Sequence, residues 1–401
     1  MIRPVAESVK ELRFAFLSQA WPEDEKATIS GSSVQVYYVA KELAQRGFPV
    51  LVILSSHPEF QDIQEGNLSV VSIFQGTALR HNLSRSWQQK AKRLLEEFQP
   101  DIVYQRGKLP ESVTAASARK NGALFVWLSN ADNSGGRWKF IEKRWSKRHQ
   151  MRMLLPKLAE AAYADIVIER SLRKADIVVA QTEVQQKSLA RNFGLHASVL
   201  GSGHPIPACN RTLNKSRKVL WLANLTPMKQ PLLFAELARV LKDDNTEFIL
   251  AGKAPDPSIL KDINRLSQQT PGFKYVGGVG LKSGDALFRQ AALFVSTSWP
   301  NFEGLPNTFI QACKNGTPII SLHNDPDSII QREKIGEVVH SFDDLVSAVQ
   351  GWLRDEERRK AAGERAYAFA LKEFDIRRIV DQLLEIVQKS VAERKRLYDQ
   401  V

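Results

Sequence analysis

Asn224 and Lys229 stand five residues apart, in a turn-like stretch that runs Asn224-Leu225-Thr226-Pro227-Met228-Lys229-Gln230-Pro231 after an apolar run. An amide can hydrogen-bond a phosphate oxygen and an ammonium can neutralise one. At the C-terminal edge of a parallel strand, the pair would sit where such sheets bind ligands. The competing reading is a solvated loop lysine, the commoner fate of a single lysine. A second group is more demanding: Glu303, Gly304, Leu305, Pro306, Asn307, Thr308 and Gln311 follow the apolar run 293–296. Pro306 suits the first turn of a helix, and N–H groups near Pro306, Asn307 and Thr308 would favour an anion. Glu303, just outside, is poorly explained by phosphate alone and suits hydroxyl groups such as those of a sugar. A plain capped helix accounts for Pro306 and Thr308, but not for Glu303 and Gln311 together. The third group is weaker. In Ile29-Ser30-Gly31-Ser32-Ser33-Val34, the N–H groups at Gly31 and Ser32 would open a helix and favour an anion. Ordinary capping by Ser32 or Ser33 is the simpler alternative.

These residues need strands and helices to hold them. Short apolar runs at 12–17, 50–54, 68–73, 102–104, 124–128, 177–180 and, weakly, 198–200 alternate with helical patterns. The same alternation continues at 219–223, 248–251, 274–276, 293–296 and 318–322. Runs that are apolar throughout are the mark of buried parallel strands, so the pattern predicts two doubly wound α/β domains facing a cleft. The helix after Gly31 carries Val36, Ala40, Leu43 and Ala44 on one stripe and ends at Gly47. Gly201-Ser202-Gly203-His204-Pro205-Ile206-Pro207, with the polar residues 210–217 beyond it, reads as a joint. The expected division is 1–204, 205–375 and a C-terminal helix, 376–401, returning to brace the first domain.

Composition narrows the field. At 401 residues, with 43% hydrophobic and 25% charged, the chain is globular and fits two domains. Cys209 and Cys313 are too few for a disulfide scaffold or a Cys-rich zinc site. The seven histidines show no metal-ligand spacing, so no metal site is expected. The first residues lack a signal-peptide core, and no run approaches membrane-spanning length, so a cytoplasmic location is expected. The net charge of +12, concentrated in the first half, calls for an anionic partner.

The densest charge runs from Arg137 to Arg152, where seven basic residues face one acid, with Trp138, Ile141 and Trp145 on one face if helical. That is the composition of an interfacial membrane helix, and equally of a surface helix whose tryptophans pack on a sheet. Both readings stay open on sequence. Nucleic acid ranks below them, since no nucleic-acid module accompanies the stripe.

The segments 221–229 and 303–312, with Thr317-Pro318-Ile319-Ile320-Ser321-Leu322 and Asp325-Pro326-Asp327, resemble the family-4 glycosyltransferases of the two-domain GT-B type. That family carries a glycine-rich loop before its first long helix, an Arg…Lys pair, and a Glu-x7-Glu motif. The matching positions here are Gly31, then Asn224 and Lys229, then Glu303 and Gln311. Asn224 replaces the usual arginine and Gln311 the second glutamate, which in the family holds the nucleotide ribose. Where the family often has a histidine, Ser129, Asn130 and Asp132 stand instead as alternative sugar contacts, with Asp132 the expected catalytic residue. The resemblance also implies that Gly252 and Gly277 wall a base pocket. It implies a retaining transfer, in the setting of polysaccharide biosynthesis. The donor would be a nucleoside diphosphate sugar, with no further cofactor, and the acceptor a glycan or lipid-linked hydroxyl. Catalysis would use Glu303, Lys229 and Asp132. The alternatives are a nucleotide-sugar epimerase of the same architecture and a catalytically silent nucleotide-sugar-binding protein.

Overall fold

The computed structural model describes residues 11–23, 30–55, 60–74, 83–130, 135–145, 154–208, 216–241, 245–300 and 303–399. The chain divides into two compact units: Met1–Ser202 with Ile376–Val401, and Gly203–Asp375.

Unit 1 alternates strands and helices: β1 (Phe14–Ser18), α1 (Gly31–Gln45), β2 (Val50–Leu54), β3 (Ile63–Glu65), β4 (Leu68–Ser72), α2 (Arg85–Phe98) and β5 (Ile102–Arg106). It continues through α3 (Glu111–Ala118), β6 (Leu124–Leu128), α4 (Lys139–Trp145), α5 (Leu154–Leu172), β7 (Ile177–Ala180), α6 (Glu183–Phe193) and β8 (Ser198–Val199). The sheet order is β3-β4-β2-β1-β5-β6-β7-β8. Every pairing is parallel except β3 with β4. Phe16 pairs with Val52 on one side and Tyr104 on the other, and the winding reverses at β1/β5. The central strands are buried end to end, which is why they read as continuous apolar runs.

Unit 2 runs β9 (Ser216–Leu222), α7 (Pro231–Val240), β10 (Glu247–Ala251), α8 (Pro257–Gln269), β11 (Phe273–Tyr275), α9 (Leu281–Gln290) and β12 (Ala291–Ser296). It continues through α10 (Asn307–Lys314), β13 (Ile319–Leu322), α11 (Ile329–Arg332), β14 (Gly336–Val339), α12 (Phe342–Arg354) and α13 (Glu356–Glu373). Its sheet, β11-β10-β9-β12-β13-β14, is wholly parallel and reverses at β9/β12. One face buries Trp221, Phe234, Phe248 and Trp352; the other buries Phe288, Phe294, Phe309 and Ile310. Each such side chain contributes about 1.5–3 kcal/mol by leaving water. The ends of the unit meet: the His204 N–H donates to the Phe374 carbonyl at 2.8 Å, and His204 bridges Asp375 in parallel.

The last helix, α14 (Ile376–Asp399), belongs to unit 1 and lies against α1. Ile379, Val380, Leu383 and Val387 are buried along it, and Arg46 reaches both Asp381 and the Arg377 carbonyl.

Some expectations change. Ser30, not Ser32 or Ser33, caps α1, accepting from the Ser33 N–H at 3.2 Å, so the helix starts two or three residues earlier. Pro306 is the N-cap of α10 rather than a first-turn residue. Trp138 has φ +60 and precedes α4, so it does not share a helical face with Ile141.

Candidate active site

The two loops that carry the expected chemistry leave the neighbouring strands β9 and β12, at the reversal of the sheet, where open α/β sheets form a crevice. After β9 the chain passes Asn224 and makes a 3-10 turn, Pro227–Lys229. Gln230 then takes a left-handed φ of +50, and Pro231 opens α7. After β12, Thr297 is fully buried and ties the loops together. Its hydroxyl accepts from the Trp221 indole N–H at 2.8 Å and lies 2.8 Å from the Lys229 carbonyl. The Trp299 N–H adds a bond to the Met228 carbonyl at 2.9 Å. From below, the Asn324 amide donates to the Ser298 and Trp299 carbonyls at 2.9 and 3.0 Å.

This framing brings Lys229 and Glu303 into an ion pair, in which the Glu303 carboxylate also takes the Ser298 hydroxyl. Gly304 and Leu305 follow, and Pro306 turns the chain into α10. Proline has no capping side chain, so the N–H groups at Asn307 and Thr308 and the positive end of the helix dipole lie just beyond the Lys229–Glu303 pair in sequence.

The start of α10 is held from behind. The Asn307 side-chain oxygen lies 3.0 Å from His204 Nε2. Burial, reinforced by the charge of Lys314 and opposed by the Asn307 hydrogen bond, lowers the His204 pKa from 6.5 to about 3. The ring is therefore neutral and can serve as a fixed hydrogen-bond partner at any physiological pH. One turn into α10, the buried Gln311 amide donates to Asp285 Oδ1 at 3.1 Å. Asp285 Oδ2 pairs with the buried Lys314 at 2.7 Å.

Gly252 and Gly277 line the same edge. Gly252 has φ +145, and a Cβ there would fall 1.7 Å from the Ala223 carbonyl oxygen. The Gly252 N–H donates to the Gly277 carbonyl at 2.8 Å, and the Leu225 N–H to the Lys253 carbonyl at 2.8 Å. The loops after β9, β10 and β11 are thus stitched into one floor that only glycine at position 252 permits.

In unit 1, Gly31 and Ser32 occupy the first two positions of α1, where the Ser30 hydroxyl reaches both the Ser32 and Ser33 hydroxyls at 3.0 Å. Ser129 is buried, its hydroxyl committed to the Gln185 carboxamide. Asn130 lies over Gly107, where a Cβ would fall 2.6 Å from its amide nitrogen. Asp132 lies outside the described residues, as do 146–153 of the basic stripe. The described start of that stripe is anchored by acids of α5. Asp165 accepts from the N–H groups of Phe140 and Ile141 at 3.0 Å. Glu169 accepts from the Trp138 N–H at 3.1 Å and from the buried Lys108 at 3.0 Å. Among the described residues, no three or more His, Cys, Asp or Glu side chains gather as a metal site. No described helix is long and apolar enough to cross a membrane.

Thr297, Asn324, His204 and Asp285 also frame these loops, and they are not among the residues the sequence singles out. Nothing local marks them, because each matters through a partner far along the chain.

Two doubly wound units, the second with an ion-paired lysine in the loop after its first strand, place the chain in the class of two-domain Rossmann-like α/β proteins. Residues 29–202 match the family described as Glycosyltransferase Family 4, and residues 208–369 match Glycosyl transferases group 1. Between them the two matches span most of the chain, which is a glycosyltransferase of the GT-B type. None of the curated proteins matches the chain in sequence. Similar solved structures include sucrose-phosphate synthase from Thermosynechococcus elongatus, 15% identical, covering 95% of this chain and 100% of that one, with a TM-score of 0.73. HepE from Anabaena in complex with UDP-glucose is 16% identical, covers 94% and 100%, and has a TM-score of 0.69. WaaG, a glycosyltransferase involved in lipopolysaccharide biosynthesis, is 15% identical, covers 93% and 99%, and has a TM-score of 0.68. At these identities the likeness is one of fold.

Proposed function

We propose that the chain transfers a sugar from a nucleoside diphosphate sugar to a hydroxyl of a glycan or lipid-linked acceptor, with retention of anomeric configuration. The observation that carries this reading is the Lys229–Glu303 pair next to the start of α10. A cation and a helix N-terminus suit a diphosphate; a carboxylate beside them suits sugar hydroxyls. Binding of the donor exchanges the Lys229 ammonium from Glu303 onto the diphosphate and frees the carboxylate for the sugar. The bond from the anomeric carbon to the β-phosphate oxygen then breaks. Lys229 and the α10 N–H groups stabilise the charge that grows on the leaving diphosphate. The acceptor oxygen bonds to the same carbon on the same face, and its proton passes to the departing phosphate. Gly31 and Ser32 supply further N–H groups to the donor, Asn224 a neutral hydrogen bond, and Gly252 and Gly277 the wall against the base. Asp132 contacts the sugar. Neighbours of the same fold are seen with UDP-glucose (HepE) and with UDP and alpha-GlcNAc-glycerol (TarM), which supports a donor of this kind.

The acceptor side of the reading rests on unit 1. Leu155, Tyr163 and Ile166 are exposed on α5, and Arg137 and Trp138, just before α4, are exposed as well. Exposed apolar side chains in a unit that also carries a basic segment suit the surface of an anionic membrane, where a lipid-linked acceptor would reside.

Incubation with UDP-, GDP- and ADP-sugars and glycan acceptors, with products followed by NMR, tests the proposal. Release of nucleoside diphosphate with formation of a glycoside of unchanged anomeric configuration is expected. A glycoside of inverted configuration contradicts retention, and isomerised donor without transfer contradicts the reaction.

A further inference from the structure

The amide at Gln311 lacks the charge that makes a carboxylate a strong acceptor for sugar hydroxyls. The structure holds a carboxylate next to it. Gln311 gives its amide N–H to Asp285 Oδ1 at 3.1 Å, and Lys314, one turn further along α10, pairs with Asp285 Oδ2 at 2.7 Å. Asp285 lies in the first half of α9. A Cβ on its neighbour Gly284 would sit 3.5 Å from both the Gln311 amide nitrogen and Leu222, the last residue of β9. The carboxylate therefore stands near the strand edge that carries the Asn224–Lys229 loop.

Accessibility separates the two acceptors. Gln311 is 5% exposed, whereas the Asp285 side chain is 20% exposed. A carboxylate has about four lone-pair sites. Gln311 and Lys314 each take one, which orients Asp285 and leaves capacity for incoming O–H donors.

Resting on the donor reading above, we infer that Asp285 is a specificity-determining residue that accepts hydrogen bonds from the nucleotide's ribose hydroxyls. Gln311 and Lys314 are its positioning partners. The negative charge absent from position 311 is supplied from α9 rather than lost.

Calorimetric titration with UDP, GDP and ADP, each paired with its 2′,3′-dideoxy counterpart, tests this. The wild-type protein should prefer one ribonucleotide over its dideoxy form by about tenfold or more, the effect of losing a hydrogen bond to a charged group. Asp285→Asn should remove that preference, leaving dideoxy binding within about twofold of wild type by the same reasoning. Because Asp285→Asn also strips buried Lys314 of its partner, the double variant Asp285→Asn/Gln311→Glu is the second arm. It returns a carboxylate to the cluster and should recover the preference. Equal weakening of ribo and dideoxy forms by Asp285→Asn, or an unchanged preference, overturns the inference while the donor reading stands. Binding of no diphosphate by the wild-type protein overturns both.

Discussion

Lys229 and Glu303, 74 residues apart in the chain, form an ion pair between loops that leave adjacent strands, β9 and β12. Both side chains are largely sheltered, at 22% and 12% exposure, so solvent screens the pair only in part. The two partners should separate by ligand. Glu303→Gln should leave the affinity for a bare nucleoside diphosphate within about threefold, but lower the rate of transfer about a hundredfold, since in the donor complex Lys229 turns to the diphosphate and Glu303 to the sugar. Titration with nucleoside diphosphate alongside steady-state kinetics checks both halves.

Thr297→Val should loosen the site without touching a ligand. It removes the hydroxyl that meets the Trp221 indole and the Lys229 carbonyl, leaving buried polar groups without it. A loss of about 1–3 kcal/mol is expected in denaturant unfolding.

Gly252→Ala and Gly277→Ala should differ sharply. Position 252 combines φ +145 with a carbonyl oxygen 1.7 Å from the new Cβ, whereas position 277 has φ +78 and nothing within 4 Å. The first should cost about 2–4 kcal/mol and the second about 1 kcal/mol. Paired unfolding curves would show the difference directly.

His204 predicts an acid-sensitive unit 2. Its pKa falls from 6.5 to about 3 because the ring is buried and faces Lys314, so the unfolded chain binds a proton that the folded one refuses. The stabilisation is complete above pH 6.5 and is lost as the pH falls from 6.5 towards 3. In that window stability should drop by about 1.4 kcal/mol per pH unit. His204→Gln, which keeps a donor for Asn307, should flatten the drop in unfolding measured between pH 4 and 7.

The exposed apolar residues of α5 and the basic segment before it predict co-sedimentation with anionic vesicles. Changing Leu155 and Tyr163 to Ser, or Lys143, Arg144, Lys147 and Arg148 to Ser, should reduce the pelleted fraction. Equal pelleting of wild type and both variants would remove the membrane role from this surface.

Most strands were legible in the sequence because parallel strands buried on both faces are apolar at nearly every position. The strands not anticipated break that rule. β3 is Ile-Gln-Glu and largely exposed, while β14 is half-buried at the sheet edge and begins at Gly336, where a Cβ would meet the Ile319 carbonyl oxygen at 1.8 Å. Lys229, Glu303 and Gln311 stood out because their types are unexpected beside a helix start. Asp285 and His204 did not: their meaning depends on α9 and the start of unit 2 lying beside α10, a tertiary fact. Trp138 departs from the expected helical face because its left-handed backbone, with Glu169 taking its own N–H and Asp165 those of Phe140 and Ile141, starts the helix after it rather than before.

The central claim is that unit 2 binds the diphosphate of a nucleotide sugar through Lys229. Calorimetric titration of wild type and Lys229→Ala with UDP-, GDP- and ADP-sugars, without added metal, tests it most directly. The account predicts saturable binding of one base class by the wild-type protein and a loss of about a hundredfold or more in the variant, as for a charge-assisted phosphate contact. Equal binding by the two proteins would contradict it.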